Sequence, residues 1–172
     1  DLSKAISLNP RFAESYFNRG MVYSALKQSQ KAISDFDNAL DLEPGYSEAY
    51  YNRALVLQKR RQFDLAIADY SQVVRLQPDH VQAHFRLGEI YSKLHLFDKC
   101  IVEFDQVTEL DPENYWAYYR KAVALDKTKQ YRKAIASYTE FLEKTPAGLG
   151  NHKTFATKRI KRLTLAQKEN RF

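Results

Sequence analysis

The chain has 172 residues, 44% of them apolar and 28% charged, with only 5 Gly and 5 Pro, which is the composition of a core-forming domain and excludes a disordered or collagen-like polymer. One cysteine excludes an intrachain disulfide and any multi-cysteine zinc site, and no stretch approaches the roughly 18 apolar residues of a membrane span. The net charge of +6 is confined to the end: from Leu149 on there are seven basic side chains against one acidic, whereas residues 1–148 carry twenty of each and are neutral.

The five prolines, Pro10, Pro44, Pro78, Pro112 and Pro146, are each 34 residues apart, which makes internal repetition the first feature to read. Taken in chain order, residues 1–12 place Leu2, Ala5 and Leu8 at helical spacing before Pro10. Residues 13–46 place Tyr16, Gly20 and Tyr23 on one helical stripe and Ala32, Phe36 and Ala39 on a second, closed by Pro44. Residues 47–80 repeat this with Tyr50, Ala54, Leu57, then Ala66, Tyr70, Val73 and Pro78. Residues 81–114 do so with His84, Gly88, Tyr91, then Cys100, Phe104, Val107 and Pro112. Residues 115–148 do so with Tyr118, Ala122, Leu125, then Ala134, Tyr138, Phe141 and Pro146. Residues 149–172 form a last, basic helical segment with Phe155, Ile160, Leu163 and Ala166 as its apolar positions.

Spacings of four and three residues put each trio on one face of an α-helix. The alternation of large and small residues lets two helices approach closely, a ring filling the space beside a residue with little side chain. Proline at position 32 of each unit ends its second helix. Each unit is therefore a helix, a turn, a second helix and a proline-marked turn, and it buries its apolar faces only by stacking on its neighbours.

This pattern resembles the tetratricopeptide repeat, with Tyr16, Gly20, Tyr23, Ala32, Phe36, Ala39 and Pro44 as its cleanest copy. The resemblance implies an all-α fold, a right-handed superhelical solenoid of antiparallel helix pairs. The units are 13–46, 47–80, 81–114 and 115–148, preceded by the end of another repeat in 1–12 and followed by a basic capping helix over 149–172. Because Asp1 falls inside a second helix, the chain is expected to be a fragment of a longer repeat protein. Position 7 departs from the family in carrying Arg19, Arg53, Leu87 and Lys121, and the expectation is that the methylene stems of its charged residues cover apolar surface while their charges reach water.

The resemblance also implies that the first helix of each pair lines a concave face. The residues there add their own argument. Position 5 is aromatic throughout: Phe17, Tyr51, Phe85 and Tyr119. Position 6 is Asn18, Asn52, Arg86 and Arg120. Position 9 brings Met21 and Leu55, then Glu89 and Val123. Position 13 supplies Lys59, Lys93 and Lys127. Asn can exchange hydrogen bonds with an extended peptide backbone, and Arg can grip a carboxylate through two parallel bonds. The expected ligand is a peptide or protein segment with an apolar side chain and acidic character, or a free C-terminus. The opposing readings are that the position-5 rings pack within the fold and that the Asn, Lys and Arg columns are solvated faces.

Some family members hold chaperone tails in a dicarboxylate clamp. At the clamp positions this chain has Phe17, Met21, Asn52, Gln82 and Arg86, and only Asn52 and Arg86 match, so chaperone-tail binding is not expected. Nor is catalysis. His80 falls in a turn and His84 in a core column, Cys100 occupies the small-residue column, and no phosphate loop or nucleophile arrangement occurs. The expectation is an intracellular, chiefly cytoplasmic adaptor that is not an enzyme and uses no metal or cofactor. Two alternatives stand beside it: a structural scaffold packing by its ends or edges, including as a homo-oligomer, and a tether to nucleic acid or an acidic membrane through the basic tail.

Overall fold

The computed structural model describes residues 2–146 and 148–168. Among them ten helices follow one another and no strand occurs: α1 (Leu2–Leu8), α2 (Ala13–Ala25), α3 (Ser29–Leu42), α4 (Ser47–Lys59), α5 (Phe63–Leu76), α6 (Val81–Lys93), α7 (Phe97–Leu110), α8 (Tyr115–Lys127), α9 (Tyr131–Lys144) and α10 (Gly150–Lys168). The expected segment over 149–172 is thus helical up to Lys168, and the rest of it, with Glu169, Arg171 and Phe172, lies outside the described residues. Two antiparallel helices fall in each 34-residue frame. The chain divides into two compact units, one up to Ala83 and one from His84 on.

Small residues set the pairing distance. Gly20 and Gly88 leave room for the rings of Phe36 and Phe104, and a Cβ at either glycine would lie 2.8–2.9 Å from ring carbons. Alanine occupies the same position in the other two repeats, where the position of the ring holds Tyr70 or Tyr138. All four rings are fully buried, each contributing about 1.5–3 kcal/mol by leaving water. In unit 1, Ala32 and Phe36 of α3 cluster with Val56 of α4, so the second helix of one repeat packs on the first helix of the next. In unit 2, α10 continues that stacking on α9: its Ala156 and Leu163 are buried with Ala134, Tyr138 and Phe141.

The turn inside each repeat has a feature that composition does not announce. Lys27, Arg61, His95 and Lys129 adopt φ of 59, 61, 58 and 61°, a left-handed conformation, without being glycine. Backbone bonds close the corner each time: the amides of Gln28, Gln62, Leu96 and Gln130 donate to the carbonyls of Tyr23, Leu57, Tyr91 and Leu125, at 2.8–3.0 Å. This is the Schellman arrangement that satisfies otherwise orphaned helix-end carbonyls.

The expectation for position 7 is corrected. Arg19 and Arg53 do not send their charges to water. Arg19 donates two hydrogen bonds of 2.7 Å to the buried Asp35. Arg53 donates two, of 2.8 and 2.6 Å, to the buried Asp69, and a third of 2.5 Å to Asp37 of the preceding repeat. A carboxylate cannot be buried without such compensation, and a planar guanidinium supplies it in a matching fork. The bond to Asp69 raises the Arg53 pKa further above its ordinary range, while burial pushes the Asp69 carboxyl up against the pull of Arg53.

Candidate functional site

In every repeat the position-5 ring rests on a ring of the second helix nineteen residues on. Phe17 lies 6.0 Å from Phe36 between centroids, Tyr51 5.6 Å from Tyr70, Phe85 5.4 Å from Phe104 and Tyr119 6.2 Å from Tyr138. All four position-5 rings are half-buried. Packing therefore claims one side of each ring and fixes its orientation, while another part stays open to solvent.

In unit 1, Phe17 also lies against Tyr46 at 4.9 Å, and Tyr51 against His80 at 5.0 Å. Asn52 spends one amide hydrogen on its own helix, donating to the Glu48 carbonyl at 2.8 Å, which leaves its oxygen and one hydrogen for other partners. Leu55 follows Tyr51 by one turn and is half-buried, whereas Asn18, Met21 and Lys59 are exposed. These residues form an aromatic and amide surface.

Unit 2 forms a cavity. Phe85, Glu89, Trp116, Tyr119, Arg120 and His152 line a space of about 370 Å³. Three elements contribute: α6 supplies Phe85 and Glu89, α8 supplies Trp116, Tyr119 and Arg120, and the first turn of α10 supplies His152. The rings meet edge to face. His152 lies 4.8 Å from Trp116 and 5.2 Å from Tyr119, with Trp116 and Tyr119 5.8 Å apart. Phe155 of α10 approaches Tyr119 at 6.3 Å from the same side. The chain's own last helix thus covers part of the position-5 ring in the fourth repeat. Burial raises the Tyr119 hydroxyl pKa, with Arg120 pulling it the other way.

The arginines of this unit are not bare. Arg86 donates to one Glu89 oxygen at 2.8 Å and Arg120 to the other at 3.3 Å, so a single carboxylate joins position 6 of two successive repeats. The Glu89 side chain is 15% exposed and that of Arg120 43%, which puts the carboxylate beneath and a guanidinium at the rim. Lys93 and Lys127 are exposed and do not line the cavity.

Of the residues read from the sequence, the structure brings Phe85, Tyr119 and Arg120 to one cavity and attaches Arg86 through Glu89. The reading missed Glu89, Trp116 and His152 as members of the site. Trp116 occupies position 2 and Glu89 position 9 of their repeats, both on first helices, which the resemblance implied would carry the ligand. His152 reaches the cavity only through the docking of α10, which no local pattern reports.

Among the described residues no group of three or more His, Cys, Asp or Glu is placed to hold a metal ion, and no helix is long and apolar enough to cross a membrane. His80 accepts the Ala83 amide at 3.2 Å, His84 lies 2.7 Å from Glu103, and Cys100 is fully buried with its thiol pKa pushed up to about 11 by desolvation.

Tetratricopeptide repeat models match residues 13–46, 47–80, 81–114 and 103–136. No curated protein sequence matches the chain. Among solved structures, YrrB, described as "a TPR protein with an unusual peptide-binding site", superposes with a TM-score of 0.83 at 21% identity, covering 99% of this chain and 84% of that one. A structure of MamA gives 0.78 at 21% identity over 83% and 84% of the two chains. MamA from Desulfovibrio magneticus RS-1 gives 0.74 at 19% over 91% and 96%. At these identities the likeness is one of fold.

Proposed function

We propose, for a chain that belongs to the tetratricopeptide repeat family, that unit 2 holds the ligand of a protein-interaction module. Repeats of this family are non-catalytic scaffolds for protein and peptide partners, and this chain is such a scaffold. In this reading an extended peptide places one apolar side chain in the cavity walled by Phe85, Trp116, Tyr119 and His152, and a carboxylate beside it meets Arg120. The observation that carries the reading is the cavity itself. Its 370 Å³ lies near the small end of ligand sites, room for about a dozen heavy atoms at roughly 30 Å³ each, which suits one side chain and its flanking group. Arg120 spends one of its N–H groups on Glu89 and has others to offer. Unit 1 by itself would offer Tyr51, Asn52 and Leu55 to backbone and apolar groups of a peptide, with Phe17, Asn18, Met21 and Lys59 as the margin of that surface. YrrB, which has a peptide-binding site by its own description, supports a peptide as the ligand class.

Trp116 is the sole tryptophan, so its emission reports occupation of the cavity directly. Titrating ten-residue peptides that carry one Phe or Leu next to one Asp should shift that emission saturably, and Arg120→Gln should weaken binding at least tenfold. If no such peptide alters the emission or binds at millimolar concentration, this reading is overturned.

A second reading concerns α10. Lys158, Lys161, Arg162 and Lys168 are exposed and form no ion pair among the described residues, whereas Arg159 of the same helix is held by Asp126. That face would suit an anionic partner such as nucleic acid or an acidic membrane. Binding of single-stranded RNA or of phosphatidylserine vesicles should then fall steeply with salt and be lost when the four residues become Gln. A cytoplasmic location suits both readings, since the only thiol is buried and unpaired.

A further inference from the structure

We infer that Glu89 sets the charge of the ligand: it restricts the unit 2 cavity to a segment with a single carboxylate beside its apolar side chain and rejects acid-rich segments. This rests on the proposed peptide site and sharpens it. The two position-6 arginines taken alone look like a clamp for two carboxylates. The geometry gives them one already. Glu89 accepts from Arg86 at 2.8 Å and from Arg120 at 3.3 Å, one oxygen to each.

The charge at the site follows from these residues. Arg120 is the guanidinium at the rim of the cavity, and Glu89 already engages one of its N–H groups, so what it offers a ligand suits one carboxylate. A second carboxylate would approach the Glu89 charge. The low exposure of Glu89 makes that approach costly, because water screens a recessed carboxylate less than one at the surface. Carboxylates in like-charge proximity are excluded in the same way that paired cations attract them, and exclusion of the wrong ligand is a common source of specificity. The other three position-9 residues, Met21, Leu55 and Val123, are uncharged, so this restriction belongs to the third repeat alone.

The rings explain why an apolar residue must accompany the carboxylate. Phe85, Trp116 and Tyr119 are held by packing on their own second helices or on each other, so the wall exists before the ligand arrives. An anion without an apolar neighbour would leave that wall empty and gain only the contact with Arg120 at the rim. The ligand class is therefore an apolar side chain with one adjacent acidic group.

Two labelled ten-residue peptides test this. Both carry one Phe, followed in one by a single Asp and in the other by three, with all other positions Gly or Ser. The wild-type chain should prefer the single-Asp peptide. Glu89→Gln, which keeps shape and removes charge, should tighten the three-Asp peptide about five- to tenfold relative to the single-Asp peptide, the scale expected for one like charge several ångströms away in a partly screened site. Melting curves show that the variant is folded, and Arg120→Gln should abolish the dependence on Asp in both backgrounds. If Glu89→Gln weakens both peptides by the same factor, Glu89 only positions the arginines and the inference is overturned. An unchanged ratio in a variant that binds overturns it as well, leaving the peptide site intact. If the wild-type chain binds neither peptide and Trp116 emission is silent, the site and the inference fall together.

Discussion

Unit 1 and unit 2 use the same repeat but tie their helices together differently. In unit 1 each first helix is fastened to its partner by an arginine fork on a buried aspartate, Arg19 on Asp35 and Arg53 on Asp69. In unit 2 the same two columns hold Leu87 with Glu103, and Lys121 with Ser137. There His84 meets Glu103 at 2.7 Å, and Lys121 reaches instead to Asp105 of the preceding repeat. A buried charge obliges a partner, whereas Leu87 in the same place needs none. The forks of unit 1 thus commit their residues to buried aspartates, whereas in unit 2 the position-6 arginines meet at Glu89 beside a cavity.

Substitutions distinguish the two units. The largest effect is expected at Arg53: Arg53→Ala strands the buried Asp69 and should cost about 3 kcal/mol in chemical denaturation. Lys121→Ala, whose partner Asp105 is 48% exposed, should cost no more than about 0.5 kcal/mol. Equal losses would show that the two units hold their charges alike. Next come the ring seats, one in each unit. Gly20→Ala and Gly88→Ala each press a methyl against a buried ring and should destabilise by about 1–3 kcal/mol. A smaller contrast lies between two tyrosines at one column. The Tyr70 hydroxyl donates to Gln58 at 2.9 Å, whereas that of Tyr138 is buried with no hydrogen-bond partner among the described residues. Tyr70→Phe should therefore cost about 1 kcal/mol, and Tyr138→Phe should be neutral or stabilising.

The last contrast is silent at neutral pH. The buried Cys100 thiol of unit 2 holds its proton to about 11. In the unfolded chain a thiol ionises near 8.5, so the unfolded state releases its proton first. Stability of unit 2 is unaffected below that value and falls as the pH rises from there towards 11. Unit 1 has no cysteine and lacks this dependence. Iodoacetamide should accordingly leave folded Cys100 intact at pH 8 and label it after denaturation, as mass spectrometry would show.

Much of the fold was legible because it is written in volume. Gly20, Ala54, Gly88 and Ala122 share one column and Phe36, Tyr70, Phe104 and Tyr138 another, and a small residue paired with a ring every 34 positions leaves few other architectures. The period does not fix its own phase, however. One repeat model matches 103–136, a window that begins within α7 and runs into α9, so helix pairs can be counted from either member. The corners at Lys27, Arg61, His95 and Lys129 were not legible, because a left-handed residue without glycine or asparagine carries no composition signal. The forks were half-legible. Arg19 and Asp35, and Arg53 and Asp69, share a spacing of 16, but bidentate pairing depends on how deeply each aspartate sits. The candidate cavity was legible by column for Phe85, Tyr119 and Arg120. It was illegible at His152, whose place depends on where a whole helix docks.

Those corners have a practical consequence. Their geometry is enforced by main-chain bonds, and their side chains are exposed, that of His95 edge-on to Phe97 of α7. Lys27, Arg61 and Lys129 are thus interchangeable handles at multiples of one interval along the sequence. A dye or crosslinker attached at any one of them would mark its repeat while leaving the neighbouring helices undisturbed.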